Sequence, residues 1–369
     1  MPWLSVSRFQ DMFRSKKVSK PLIEQPPVLL APPPPFTRER LGMMKSVNFH
    51  VTLWPAFPHF GRFALDNRIQ GIRLNSAMMH ASGIDRNFYE HCAQAEVPLW
   101  FDIKAMQLRI KEIVCGTDCD HLEFILNRPV KVKTPCRVWF KAGEDSGLLK
   151  EIKDGTHFIF EGGPKYEVRE GESIHIRQPD LEVGGPVFLD YELEKIQKIV
   201  NPEVGMKFTR FYLSYVYDQK HVDAFRELIG KEAALVLKIE NKDGLNWVAK
   251  GYRRTLNTTL MMARGDMFIE IDRPHDIIAA TKLIIERDCN AFVGSRMLLS
   301  LVNLPVPSCA DFSDLAWLYD IGYRNFLLCD ELCLKEELLS RCVNVFHAFR
   351  KDYCSIPKKG EVKPIYPGI

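Results

Sequence analysis

The sequence predicts an α/β protein: a (β/α)8 barrel with a small β-barrel or sandwich domain inserted between its third and fourth strands. Three observations predict it. Eight apolar, β-rich runs alternate with helix-like runs between residues 47 and 353, which implies βα units and a parallel sheet. That rhythm breaks once, over residues 112–199, where short strand-like bursts are separated by glycines. The length of 369 residues suits one large barrel plus a smaller insert.

The expected barrel strands are residues 47–54, 71–75, 97–103, 208–216, 233–240, 259–266, 291–297 and 323–329. Helical periodicity follows most of them, over residues 86–95, 221–229, 245–254, 276–289, 311–320 and 335–353. In the break, residues 130–133, 138–140, 157–160, 166–168 and 173–176 alternate apolar with polar. Gly143, Gly147, Gly155, Gly162, Gly163 and Gly171 punctuate them. An insert in a βα loop sits at the C-terminal face, where such barrels carry their chemistry. The expected division is an arm over residues 1–45, a barrel over 46–112 and 201–353, an insert over 113–200, and a tail over 354–369.

The arm differs from the rest. Lys16, Lys17, Lys20, Arg38 and Arg40 make it basic, and the run Pro32 to Pro35 favours a polyproline II segment. Trp3, Leu4, Val6, Phe9 and Phe13 offer apolar anchors, so the arm is read either as a loosely attached segment or as a tether to a protein partner. Asp11 and the proline tract count against a mitochondrial presequence.

Composition excludes several classes. Apolar residues make up 46% and charged residues 26%, with a net charge of +3, so no strong field directs this chain to nucleic acid. No run of eighteen apolar residues supports a membrane span. Ten cysteines without a secretory signal suggest reduced thiols in a cytoplasmic setting. Cys115 and Cys119, like Cys329 and Cys333, are four apart, but a zinc site needs convergent pairs, and buried thiols are the simpler reading.

Two segments carry chemistry. In Leu237-Lys238-Ile239-Glu240, alternate residues of a strand end place Lys238 and Glu240 on one face. At the next strand end, Ala263-Arg264-Gly265-Asp266 supplies a second carboxylate. Glu240 and Asp266 could share a Mg2+, which uses few carboxylates and keeps waters. Lys238 could then stabilise charge on a transferring phosphoryl group. A buried ion pair at the barrel rim is the competing reading.

These segments resemble those of the pyruvate kinase family. The likeness continues in order along residues 45–353: Thr52 to Pro55, Arg73 and Asn75, Asp102 to Arg109, Ser214 to Val216, Gly294 to Leu298, and Pro307 to Asp314. The resemblance implies catalytic roles for Lys238, Arg73 and Ser295, the last in place of a threonine. It implies Mg2+ on Glu240 and Asp266, substrate contacts at Gly265, Arg109 and Pro55, and phosphoenolpyruvate and ADP as substrates. It also implies a K+ site, of which Asn75 and Asp102 remain while Ala77 and Ile103 replace two oxygen ligands. That site is expected to be lost.

Other departures point the same way. Gln107 replaces a carboxylate, Met78 stands where the family has a histidine, Phe268 replaces a glycine, and residues 173–185 contain no clear equivalent of the lid lysine. The family's C-terminal domain is expected to be missing. The resulting expectation is weak or lost phosphoryl transfer and a structural or interaction role in a larger assembly, for example cytoskeletal or ciliary, in the cytoplasm. The alternative is an active, K+-insensitive pyruvate kinase.

Overall fold

The computed structural model describes residues 47–116 and 121–354. The expected arm, Cys119 and most of the expected tail lie outside the described residues.

Eight parallel strands close into a barrel. Three come first: β1 (Asn48–Thr52), β2 (Gly71–Asn75) and β3 (Leu99–Lys104). The inserted domain contributes β4 (Ile110–Cys115), β5 (Glu123–Leu126), β6 (Val130–Lys131), β7 (Cys136–Phe140), β8 (Asp145–Lys153), β9 (His157–Gly162), β10 (His175–Ile176) and β11 (Glu182–Val183). The barrel resumes with β12 (Arg210–Ser214), β13 (Ala234–Ile239), β14 (Thr258–Ala263), β15 (Phe292–Gly294) and β16 (Asn325–Leu327). Around the barrel the order is β1-β16-β15-β14-β13-β12-β3-β2. Each expected barrel strand overlaps one of these strands, so the (β/α)8 reading holds.

The helices are α1 (Phe60–Ala64), α2 (Arg86–Cys92), α3 (Asp190–Val200), α4 (Gln219–Ile229), α5 (Lys242–Lys250), α6 (Arg264–Glu270), α7 (Asp276–Arg287), α8 (Cys309–Asp320) and α9 (Glu336–Ala348). Local sequence starts several of them. The Asp85, Asp218 and Asn241 side chains accept the first backbone N–H groups of α2, α4 and α5, and Ser308 with Asp311 forms a capping box on α8.

Period-2 alternation fills the barrel in layers. In the middle layer the His50 ring packs against Trp100 and Phe292, and its Nδ1 lies 2.8 Å from the Tyr212 hydroxyl. Gly71 makes room for this ring, since a Cβ there would lie 2.3 Å from it. Above, toward the C-terminal strand ends, the inward residues turn polar: Thr52, Arg73, Asp102, Ser214 and Lys238 contact one another.

The insert is a curled antiparallel sheet of six strands in the order β10-β7-β8-β9-β5-β4, with β11 paired to β6. Phe124, Phe140, Phe158 and Phe160 form its core. Arg128, fully buried, fastens its base. Its guanidinium donates to Ala105 O and Pro186 O, both at 2.8 Å, so one side chain grips the chain where it leaves the barrel and where it returns.

Three expectations are corrected. The stretch read as strand and turn to residue 199 ends in helix α3, which buries Ile196, Ile199 and Val200. Its apolar residues recur at helical spacing, beginning just after the turn residues Gly184, Gly185 and Pro186. The sixth barrel strand stops at Ala263 rather than Asp266, because the chain turns directly into α6. Cys115 is disulfide-bonded rather than reduced; Cys329 and Cys333 are free, buried thiols.

Candidate active site

The site is built where β3, β12 and β13 end side by side. On each strand, residues two apart face inward together: Asp102 and Lys104 on β3, and Lys238 with Glu240 at the end of β13. Lys238 Nζ lies 2.8 Å from Glu240 Oε1 and donates to Ser214 Oγ at 2.8 Å. Ser214 Oγ donates to Asp102 Oδ1 at 2.8 Å and accepts from Lys104 Nζ at 3.1 Å. Glu240 Oε2 accepts the backbone N–H of Tyr215 at 2.7 Å. Tyr215 holds a positive φ of 55°, which turns the chain so that this N–H faces the carboxylate.

Asp266, in the first turn of α6, comes within hydrogen-bonding reach of Glu240. Its side chain is 29% exposed, whereas Glu240 is buried, so the carboxylate pair opens outward through Asp266. Burial raises Glu240 above the usual carboxylate range, and neighbouring Asp266 adds to the rise against the pull of Lys238. Burial also works against ionisation of Asp266, but His175 and Lys238 outweigh it and lower its pKa. Burial opposes the charge on Lys238 too; Asp102 and Glu240 overcome it and raise the pKa. Lys104 is pushed down to about 8, chiefly by burial.

Arg73 donates from Nε to Asp102 Oδ2 at 2.7 Å and from Nη1 to Asp330 Oδ1 at 2.9 Å. Asn75 donates from Nδ2 to Asp330 Oδ2 at 3.1 Å, and its Oδ1 accepts from Ala77 N at 3.3 Å. Asp102 is held far below the usual carboxylate range: burial would raise it, but Lys104, Lys238 and Arg73 prevail.

The structure thus brings together Lys238, Glu240, Asp266, Asp102, Arg73 and Asn75. Gly265 and Ser295 adjoin each other, with a Cβ on Gly265 placed 3.3 Å from Ser295 Oγ. Ser295 has a positive φ of 64°, and its carbonyl accepts from Arg264 Nη2 at 3.1 Å. Pro55 lies buried in the turn after β1. Arg109 is placed differently: its side chain bonds to Gln107 and to Gly171 O in the insert rather than to the Lys238 cluster.

Four residues escaped assignment from sequence. Lys104 and Ser214 sat inside quoted segments, and the period-2 alternation with Asp102 was the available signal for Lys104. Asp330 was signalled only as a carboxylate just beyond the eighth strand. His175 comes from the insert with no local sign. Its Nδ1 lies 2.7 Å from Glu270 Oε1, and its Nε2 lies 3.5 Å from Asp266 Oδ1.

Among the described residues, no cluster of three or more His, Cys, Asp and Glu side chains is arranged to hold a metal. The Glu240–Asp266 pair nevertheless fits the donor chemistry of Mg2+, which takes one or two carboxylates and fills its octahedron with water or phosphate oxygens. Two carboxylates within hydrogen-bonding reach of each other, one raised by the other's charge, make a place where a cation is favoured.

A family model described as pyruvate kinase, barrel domain, matches residues 165–320, which include Lys238, Glu240, Asp266 and Ser295. The chain is 36% identical over 109 residues to a pyruvate kinase of Agrobacterium vitis, covering 28% of this chain and 22% of that protein. It is 29% identical over 147 residues to pyruvate kinase 1 of Saccharomyces cerevisiae, covering 38% and 28%. To pyruvate kinase 2 of Candida glabrata it is 29% identical over 246 residues, covering 57% and 46%. Each match thus spans less than half of the relative's length.

Proposed function

Because the chain belongs to the pyruvate kinase family, we propose that it is a divergent member in which phosphoryl transfer from phosphoenolpyruvate to ADP is weak or lost. In this reading it keeps its metal-binding carboxylates and acts in a larger assembly, for example a cytoskeletal or ciliary one. The observation that carries the reading is the state of the remnant cation site. Asp102 is bonded to Arg73, Lys104 and Ser214, and Asn75 to Ala77 and Asp330, so both surviving ligands are engaged by the protein itself. With Ala77 and Ile103 supplying no oxygens, a K+ has little to bind.

The residues that would act on a phosphoryl group are still assembled. Glu240 and Asp266 would hold Mg2+, whose charge would polarise phosphoryl oxygens. Lys238, kept charged by Asp102 and Glu240, would offset charge on the transferring group. Ser295 would adjoin the substrate beside Gly265. This assembly supports the second reading, an active enzyme with little K+ dependence. No helix among the described residues is long and apolar enough to cross a membrane, and a cytoplasmic setting is the proposal that accompanies both readings.

The test is a coupled ADP-phosphorylation assay on purified protein with saturating phosphoenolpyruvate and Mg2+. Turnover at least about a thousand-fold below an active relative supports the first reading, a loss that two or three missing contacts can produce. Turnover within tenfold of that relative would establish the second. For the assembly role, removal of residues 2–40 is expected to abolish co-purification of a partner from cells; undiminished recovery would reject the arm as tether.

A further inference from the structure

We infer that Asp330 is a built-in anion occupying an oxyanion cradle, and that it sets the site's affinity for small phosphate-bearing ligands. The inference rests on the reading of this site as a divergent phosphoryl-transfer centre, and it specifies what weakens it. The cradle has two donors. Arg73 Nη1 gives to one oxygen of Asp330 at 2.9 Å, and Asn75 Nδ2 gives to the other at 3.1 Å. Two donors, each on a separate oxygen of one planar carboxylate, form the arrangement that a phosphate or carboxylate ligand would itself require.

Charge explains why the cradle wants an anion. The buried groups around it are Arg73, Lys104 and Lys238 against Asp102 and Glu240, with a third carboxylate, Asp266, 29% exposed at the edge of the cluster. Arg73 uses Nε and Nη2 on Asp102, and of its Nη1 hydrogens one goes to Thr52 Oγ1 at 3.2 Å, which leaves the other for a further anion. Asp330 meets that need from a different part of the chain, the short 3-10 turn Asp330–Leu332 just beyond β16. It is not locked in place as Asp102 is. Asp102 is fully buried, whereas the Asp330 side chain is 25% exposed and its carboxylate is held by Arg73 and Asn75. A side-chain rotation would therefore vacate the cradle toward solvent and leave two donors facing open space. An incoming phosphate must displace this carboxylate or suffer its repulsion, and either lowers affinity.

The experiment measures phosphate affinity rather than turnover, so it can fail independently of the transfer assay. Inorganic phosphate and phosphoenolpyruvate are each titrated calorimetrically into the full chain, into Asp330→Ala, and into Asp330→Ala combined with Arg73→Met. Asp330→Asn, which keeps the shape and removes the charge, serves where the alanine variant does not fold. Binding at least tenfold tighter in Asp330→Ala or Asp330→Asn, returned to the level of the unaltered chain by Arg73→Met, is the expected result. Equal affinity with and without Asp330 in folded proteins would overturn the inference. A gain that survives loss of Arg73 would also overturn it, because the anion would then be bound elsewhere.

Discussion

His175 of the inserted domain and Glu270 of the barrel form a buried contact, with Nδ1 and Oε1 2.7 Å apart and side chains 1% and 13% exposed. Burial disfavours the imidazolium, but the bond to Glu270 outweighs it and raises the His175 pKa, so the fold favours the charged form of the ring. His175→Leu strands Glu270 without its partner, and we expect a loss of about 3 kcal/mol in stability, the scale for breaking a buried pair. Amide exchange should accelerate in β7 and β10 while β13 and β14 stay protected. Unchanged exchange in the insert would mean that the contact does not hold the two together.

Lys238 sits between Asp102 and Glu240, with Ser214 beneath it. Lys238→Met should lower any measurable turnover by about a hundred-fold or more, the scale for removing one preorganised charge from a transition state. The circular dichroism spectrum should persist, with a lower Tm because two buried carboxylates lose a cation. Retention of a tenth of the activity would remove Lys238 from the chemistry.

The carboxylate pair can be checked without turnover. Mn2+, a paramagnetic stand-in for Mg2+, should bind the unaltered chain, and Glu240→Gln with Asp266→Asn should weaken it at least about tenfold, since hard cations rely on charged oxygens. Electron paramagnetic resonance reports free Mn2+ directly, and equal binding by the double variant would place the metal elsewhere.

Any phosphoryl transfer by this chain should be indifferent to K+. Replacing it with tetramethylammonium at constant ionic strength should change the rate by less than about twofold, because Asn75 and Asp102 are already bonded within the protein and a hard cation needs oxygen ligands. Strong activation by K+ would show that the cation is bound by other residues.

Acid should destabilise the barrel through His50. Burial lowers its pKa from 6.5 to about 3, so below pH 6.5 the unfolded chain takes up a proton that the folded chain refuses. Stability is therefore full above pH 6.5 and falls at up to about 1.4 kcal/mol per pH unit until the folded group also protonates near 3. His50→Phe leaves the Tyr212 hydroxyl without its ring nitrogen and is weaker at pH 8, but its urea midpoint should decline less between pH 6.5 and 4.5. Parallel pH profiles for the two proteins would count against His50 as the source.

Much of this protein is written locally. The alternation of Arg73 with Asn75 and of Lys238 with Glu240 follows from the two-residue period of a strand, which places both members on one face wherever the strand goes. The same period and its helical counterpart predicted eight barrel strands and six helices. Local patterns fall short at boundaries: the alternation of the insert runs on into what is helix α3, and the strand-like run to Asp266 turns into a helix after Ala263. The tertiary structure alone decided which distant groups meet. Asp330 reaches Arg73 across 257 positions because β16 closes the barrel against β1, whose other neighbour is β2. His175 reaches Glu270 because the insert folds back over α6. Arg128 grips two crossings of the chain that are 81 positions apart, at Ala105 and Pro186. None of these contacts has a period or a spacing. Each is set by closure of the barrel and by the demand that a buried charge find a partner, conditions that act only once the chain is folded.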